Sequence, residues 1–163
     1  DGADEIYQLA HDLASAEDFI FLGRHVGYPV ALEGALKLKE IAYQHAEGFA
    51  AGELKHGPIA IIEPGMPVFV VVPPAGRDQL RDKVLSNIKE VKARGAHTIV
   101  LAENGDDGIE ADADLIIRLP HTSTLLQPLV ATVPLQLLAC ELATELGHDV
   151  DQPRNLAKSV TVE

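Results

Sequence analysis

The sequence predicts a three-layer α/β domain in which a parallel sheet of about five strands is covered by helices on both faces. Three observations predict it. Short apolar runs recur along the chain, the clearest being Val68 to Val72, five apolar residues in succession between Pro67 and Pro73. Segments with helical apolar spacing alternate with these runs. The runs are uniformly apolar rather than alternating, which is the pattern of strands buried on both faces, as parallel sheets are. The whole of residues 1–163 reads as one domain, with an extended tail over 149–163.

The elements follow in order. Ile6, Leu9, Ala10 and Leu13 have the spacing of an amphipathic helix reaching about Ala16. Phe19 to Leu22 reads as a buried strand ended by Gly23. Pro29 suits a first helical turn, and a helix is expected from there to about Ala46. A glycine-containing loop (Gly48, Gly52, Gly57) then leads into a short strand at Ile59 to Ile62, and Pro64-Gly65 marks a turn. After the Val68–Val72 strand, Leu80, Val84, Ile88 and Val91 line one face of a helix closed by Gly95. Strands are expected at His97–Ala102 and Leu115–Leu119. Leu125 to Leu146 is a long helix, apolar all round and so expected to be buried. Ligands of such sheets bind beyond the carboxyl ends of the strands. That rule points to the Gly23 loop and the loop after Ile62.

Charge and cysteine content narrow the function. Thirteen Lys and Arg against 25 Asp and Glu give a net charge of -12, which argues against a nucleic-acid partner, since phosphate backbones are held by clustered cations. No apolar run reaches membrane-spanning length, and the N-terminus carries no secretion signal. The lone Cys140 cannot form an internal disulfide, and a reduced, cytoplasmic protein is expected. The chain begins with Asp1 rather than Met, which suggests an excised fragment.

Three constellations can carry chemistry. Glu33, Lys37 and Glu40 stand at i, i+4 and i+7, on one side of the helix after the first strand. Such rows are commonly solvated faces, but one following the first strand can border a ligand crevice, where a carboxylate can be tuned for proton transfer. His56 lies in Gly52-Glu53-Leu54-Lys55-His56-Gly57-Pro58, near the same crevice. The tail Asp149 to Ser159 mixes Arg154, Asn155 and Lys158 with apolar anchors, so it can fold back and bring cations to a site. No His or Cys spacing fits a metal site. The turn Gly23-Arg24-His25-Val26-Gly27 has no Ser or Thr and no dinucleotide or P-loop fingerprint.

Four separated strings carry a resemblance: ALEGALKLKE (31–40), AGELKHGP (51–58), TVPLQLLA (132–139) and DQPRNLAKSVTVE (151–163). Together they resemble the second sugar isomerase (SIS) domain of the glutamine–fructose-6-phosphate aminotransferase family. In that family a glutaminase domain releases ammonia, and two SIS domains convert fructose 6-phosphate to glucosamine 6-phosphate. The resemblance implies that Glu40 moves a proton between sugar carbons. It also implies that Lys158 forms a Schiff base with the open-chain sugar, and that His56 opens the ring from the neighbouring subunit. Glu33 and Lys37 are implied as supporting residues. By spacing, Lys37 lies between the two carboxylates, and pairing with Glu33 would hold Glu33 ionised and make it the poorer proton shuttle. Arg154, four residues before Lys158, can favour the neutral amine if the tail turns. A homodimer is implied, with the glutaminase and first SIS domain as partners and no metal or organic cofactor. The family's Ser/Thr phosphate loop belongs to the first SIS domain, and this chain has none, so the chain is expected to be inactive alone. A regulatory sugar-phosphate-binding SIS module is the alternative, as is a self-sufficient aldose–ketose isomerase. Each of these needs a phosphate loop of its own.

Overall fold

The computed structural model describes residues 2–74, 76 and 78–156, with nothing described of the Asp78 side chain. In chain order the elements are α1 (Gly2–Leu13), β1 (Asp18–Gly23), α2 (Gly27–Lys37), β2 (His45–Ala50), β3 (Pro67–Val71), α3 (Asp78–Lys92), β4 (His97–Glu103), β5 (Leu115–Leu119) and α4 (Gln127–Glu145). The five strands form one parallel sheet in the order β2-β1-β3-β4-β5.

Successive side chains of a strand point to opposite faces, and β3 shows the consequence. Phe69 and Val71 enter one core with Phe21, Leu101 and the buried faces of α1, α2 and α4. Val68, Val70 and Val72 enter the other with Val84, Ile88 and Val91 of α3. Handedness explains which helix covers which face. Parallel crossovers are right-handed, so the step from β1 to β2 and the reverse steps toward β5 must cross opposite faces. The reversal places the topological switch between β1 and β3.

One strand differs from the sequence expectation. Ile59–Ile62 is no strand: residues Ala51–His56 and Pro58–Ile61 form short 3₁₀ turns. The second strand is His45–Ala50, paired with β1 from Asp18↔His45 to Gly23↔Ala50. The helix expected to run to Ala46 therefore ends earlier. Helix α4 also differs from expectation. It buries Ala131, Leu135, Leu138 and Leu142, but Leu129 and Val133 are 69% and 60% exposed. Those two side chains line a shallow apolar hollow shared with Ile6 of α1 and Ile117 of β5. Among the described residues, no helix is long and apolar enough to cross a membrane.

Candidate functional site

Helix α2 is held against the sheet by a face of small residues. Val30, Ala31, Gly34 and Ala35 are buried, and a Cβ on Gly34 would lie 2.8 Å from Leu135 and 2.9 Å from Phe21. The opposite side carries Glu33, Lys37 and Glu40, each partly exposed. Past Lys37 the helix widens into a π turn over Leu38–Ala42, with Glu40 at its middle. π segments are rare and recur at functional sites. The turn ends at Tyr43, in the left-handed region at φ 56°, with its N–H donating to the Leu38 carbonyl.

The sequence reading pairs Lys37 with Glu33; the structure keeps that ion pair and adds a closer one to Glu40. Lys37 Nζ donates directly to Glu40 Oε2, while Glu33 Oε1 stands 3.6 Å away. The hydrogen bond to Glu40 raises the Lys37 pKa above its ordinary value, with partial burial opposing and Glu33 adding to the rise. All three groups thus form one cluster with Lys37 at its centre. Both carboxylates are within reach because they stand four residues before the lysine and three after it, on one side.

The crevice expectation needs correction. Helix α2 runs antiparallel to β1, so Glu40 sits near the amino-terminal end of the sheet, where Asp18 faces His45. Nδ1 of His45 lies 2.5 Å from Asp18 Oδ1 at that same end. His56 follows β2 at the end of the 3₁₀ segment Ala51–His56, whose Leu54 is buried in the core on the α3 side of the sheet.

Glu40's own end of the sheet receives the tail. Asp149 Oδ1 accepts from the backbone N–H groups of Asp151 and Gln152, forming a turn, and Val150 packs on the core. The Arg154 backbone N–H donates to the Tyr43 hydroxyl at 2.7 Å, and its guanidinium carbon lies 4.2 Å from the Tyr43 ring centroid. His148 meets that ring edge-on at 4.7 Å. Lys158 lies outside the described residues.

His56 is exposed, and its segment is held from behind. Lys55 pairs with Glu90 of α3 at 2.9 Å, and Glu90 accepts from Ser86 and from Asn87. Burial would raise the Glu90 pKa, but Lys55, Ser86 and Asn87 outweigh it and hold the carboxyl below its ordinary value. Asn87, 4% exposed, accepts in turn from Arg24 Nε at 3.1 Å. No group of three or more His, Cys, Asp or Glu side chains suited to a metal ion occurs among the described residues.

A family model described as the SIS domain matches residues 12–146. The chain belongs to the SIS domain family. It is 68% identical over its whole length to a glutamine--fructose-6-phosphate aminotransferase [isomerizing] of Corynebacterium efficiens. It is 64% identical over 159 residues to the protein of that name from Mycobacterium tuberculosis. The chain spans 26% of the length of each of these relatives. A solved structure of the C-terminal domain of glucosamine-fructose-6-phosphate aminotransferase from Francisella tularensis superimposes with a TM-score of 0.83 at 44% identity. The match covers 92% of this chain and 42% of that one.

Two features of this SIS domain were not legible as site elements in the sequence. Tyr43 carries the tail contact, and an aromatic residue three positions past a candidate carboxylate was the available signal. The Arg24–Asn87–Glu90–Lys55 chain joins residues far apart in sequence, and no spacing pattern marks it.

Proposed function

We propose that this SIS domain is the catalytic half of the isomerase site of a glutamine–fructose-6-phosphate aminotransferase, inactive without the glutaminase and first SIS domain. The observation that carries the reading is the convergence of the tail and Glu40. Arg154, four residues before Lys158, is seated on Tyr43, three residues after Glu40. A Schiff-base lysine and a proton-shuttling carboxylate must address the same substrate, and the described part of the tail, which precedes Lys158, reaches the turn that carries Glu40.

The chemistry follows from substrate and product. Fructose 6-phosphate is a ketose, and its product carries an amine at C2 and an aldehyde at C1. In the proposed sequence the cyclic sugar is first opened, with His56 as the acid–base group. The neutral Lys158 amine adds to the C2 carbonyl with loss of water, and ammonia from the glutaminase then replaces it. Glu40 takes a proton from C1 and returns one at C2, which completes the aldose. A free lysine is protonated at neutral pH, so the site must favour the neutral amine, and the Arg154 cation acts in that direction. Lys37 donates to Glu40 and fixes the position of its carboxyl group, and Glu33 steadies Lys37. The sugar phosphate is held by the first SIS domain. The lone Cys140 suits a reducing, cytoplasmic setting.

In the family that this chain resembles, the residue matching His56 serves the site of a second subunit, and we assign His56 that role in a homodimer. Mixed dimers test this. Full-length His56→Ala and Glu40→Gln subunits, each inactive alone, should recover part of the activity once combined, because one of the two sites then holds both native groups. No recovery in demonstrably mixed dimers contradicts the reading.

A further inference from the structure

Tyr43 occupies a position that its backbone disfavours. It ends the π turn at φ 56°, and the residue closing a helix in the left-handed region is most often glycine, because a side chain there is strained. A bulky aromatic at such a position is an outlier, and strained residues of this kind cluster where the surrounding structure uses them. Three contacts use this one. The hydroxyl accepts from the Arg154 backbone N–H at 2.7 Å, across 111 residues of sequence. The ring face carries the Arg154 guanidinium at 4.2 Å, and a ring edge contact joins it to His148 at 4.7 Å. Cation–π contacts act within about 6 Å of the centroid.

We infer that Tyr43 is the anchor of the C-terminal tail: a positioning residue that fixes Arg154 beside the Glu40 turn and thereby sets where Lys158 meets the sugar. This rests on the reading of Glu40 and Lys158 given above. Covalent geometry supplies the bound. Lys158 is four residues from Arg154 in the sequence, and four residues of chain reach at most about 14 Å. Tyr43, which holds Arg154, closes the π turn that carries Glu40. Without the anchor, the tail past Asp149 is tied to the domain by Val150 and the Asp149 turn, both on the far side of Arg154 from Lys158.

The backbone conformation makes the test specific. Tyr43→Gly removes the anchor and at the same time suits the left-handed conformation, so a purely structural role for Tyr43 and an anchoring role predict opposite results. In the full-length protein, amide hydrogen exchange over residues 150–156 reads the anchor directly. Borohydride trapping of fructose 6-phosphate on Lys158 reads its consequence. Tyr43→Gly should leave the thermal midpoint unchanged or higher, speed tail exchange by about tenfold or more, and slow trapping by about tenfold. Tyr43→Phe keeps the ring and loses the acceptor, so the Arg154 amide should exchange faster while trapping falls less than in Tyr43→Gly. Glutaminase activity should not change in either variant. Unaltered tail exchange in both variants overturns the anchor, whatever Lys158 does. Faster exchange with undiminished trapping overturns the positioning role. Undiminished trapping in Lys158→Ala overturns the assignment of Lys158 instead, and the exchange measurement separates that result from a failure of the anchor.

Discussion

Gly34→Ala sets two opposed effects against each other on the helix that carries the candidate site. Replacing glycine by alanine in a helix interior stabilises by about 1 kcal/mol through backbone entropy. The added Cβ would sit 2.8 Å from Leu135 Cδ1 and 2.9 and 3.0 Å from two ring carbons of Phe21. Whether these can yield decides the sign. Phe21 is 1% exposed and stacks on Phe69 with centroids 4.6 Å apart, and Leu135 is also 1% exposed. Neither has room to withdraw, so α2 must lift off the sheet or the ring must leave its stack. Inserting a methyl into so tight a core costs about 1–3 kcal/mol. The two terms leave a net loss of about 1 kcal/mol, or a thermal midpoint about 2–4 °C lower for a chain of this size. Urea and thermal denaturation of the chain measure it. A midpoint equal to or above that of the wild type would refute the reasoning, since it would show that the α2–α4 contact has slack.

Two further predictions concern charge. Because the Lys37 pKa is raised by Glu40, its stabilisation is fully present below the unfolded-state value of 10.5 and is lost as pH rises through the folded one. Lys37→Met should therefore cost about 1 kcal/mol at pH 7, with the gap closing in strong alkali; a gap that persists there contradicts the ion-pair account. Asp114 runs the other way. Burial would raise its pKa, but the backbone N–H and hydroxyl of Thr98 and the Lys92 ammonium outweigh it and hold it below 3.8. Its stabilisation is present above 3.8 and disappears as pH falls through the folded value. Asp114→Asn should cost about 1–2 kcal/mol at neutral pH and progressively less in acid; an equal cost across the acid range contradicts it.

Periodicity and burial made most of the fold legible. The runs at Phe19–Leu22, Val68–Val72 and His97–Ala102 were legible because central strands are buried on both faces. Leu115–Leu119 is an edge strand, yet its Leu and Ile residues still mark it. His45–Ala50, the opposite edge, escaped because it is more polar. It pairs only with β1, is partly exposed along most of its length and carries His45, Glu47 and Gly48. Ile59–Ile62 misled for the converse reason. It is apolar, yet the Gly57-Pro58 step starts a 3₁₀ turn that leaves Ile61 48% exposed. In the candidate site, helical spacing put Glu33, Lys37 and Glu40 on one side, and the structure agrees. Spacing could not show the π turn over Leu38–Ala42, that Glu40 is the closer partner of Lys37, or which end of the sheet the carboxylate faces. The tail contact pairs residues 43 and 154, and no local pattern encodes it.

The central claim is that Glu40 moves the proton between the sugar carbons. The most direct measurement is hydrogen exchange at C1 of fructose 6-phosphate in deuterated water, catalysed by the full-length protein. Glu40→Gln keeps the shape and removes the base, so sugar binding should persist while exchange falls by roughly two to four orders of magnitude. Glu33→Gln, which leaves Lys37 its closer partner, should lose less than about tenfold. Near wild-type exchange in Glu40→Gln, with exchange abolished in Glu33→Gln, would contradict the account and give the role to the other carboxylate.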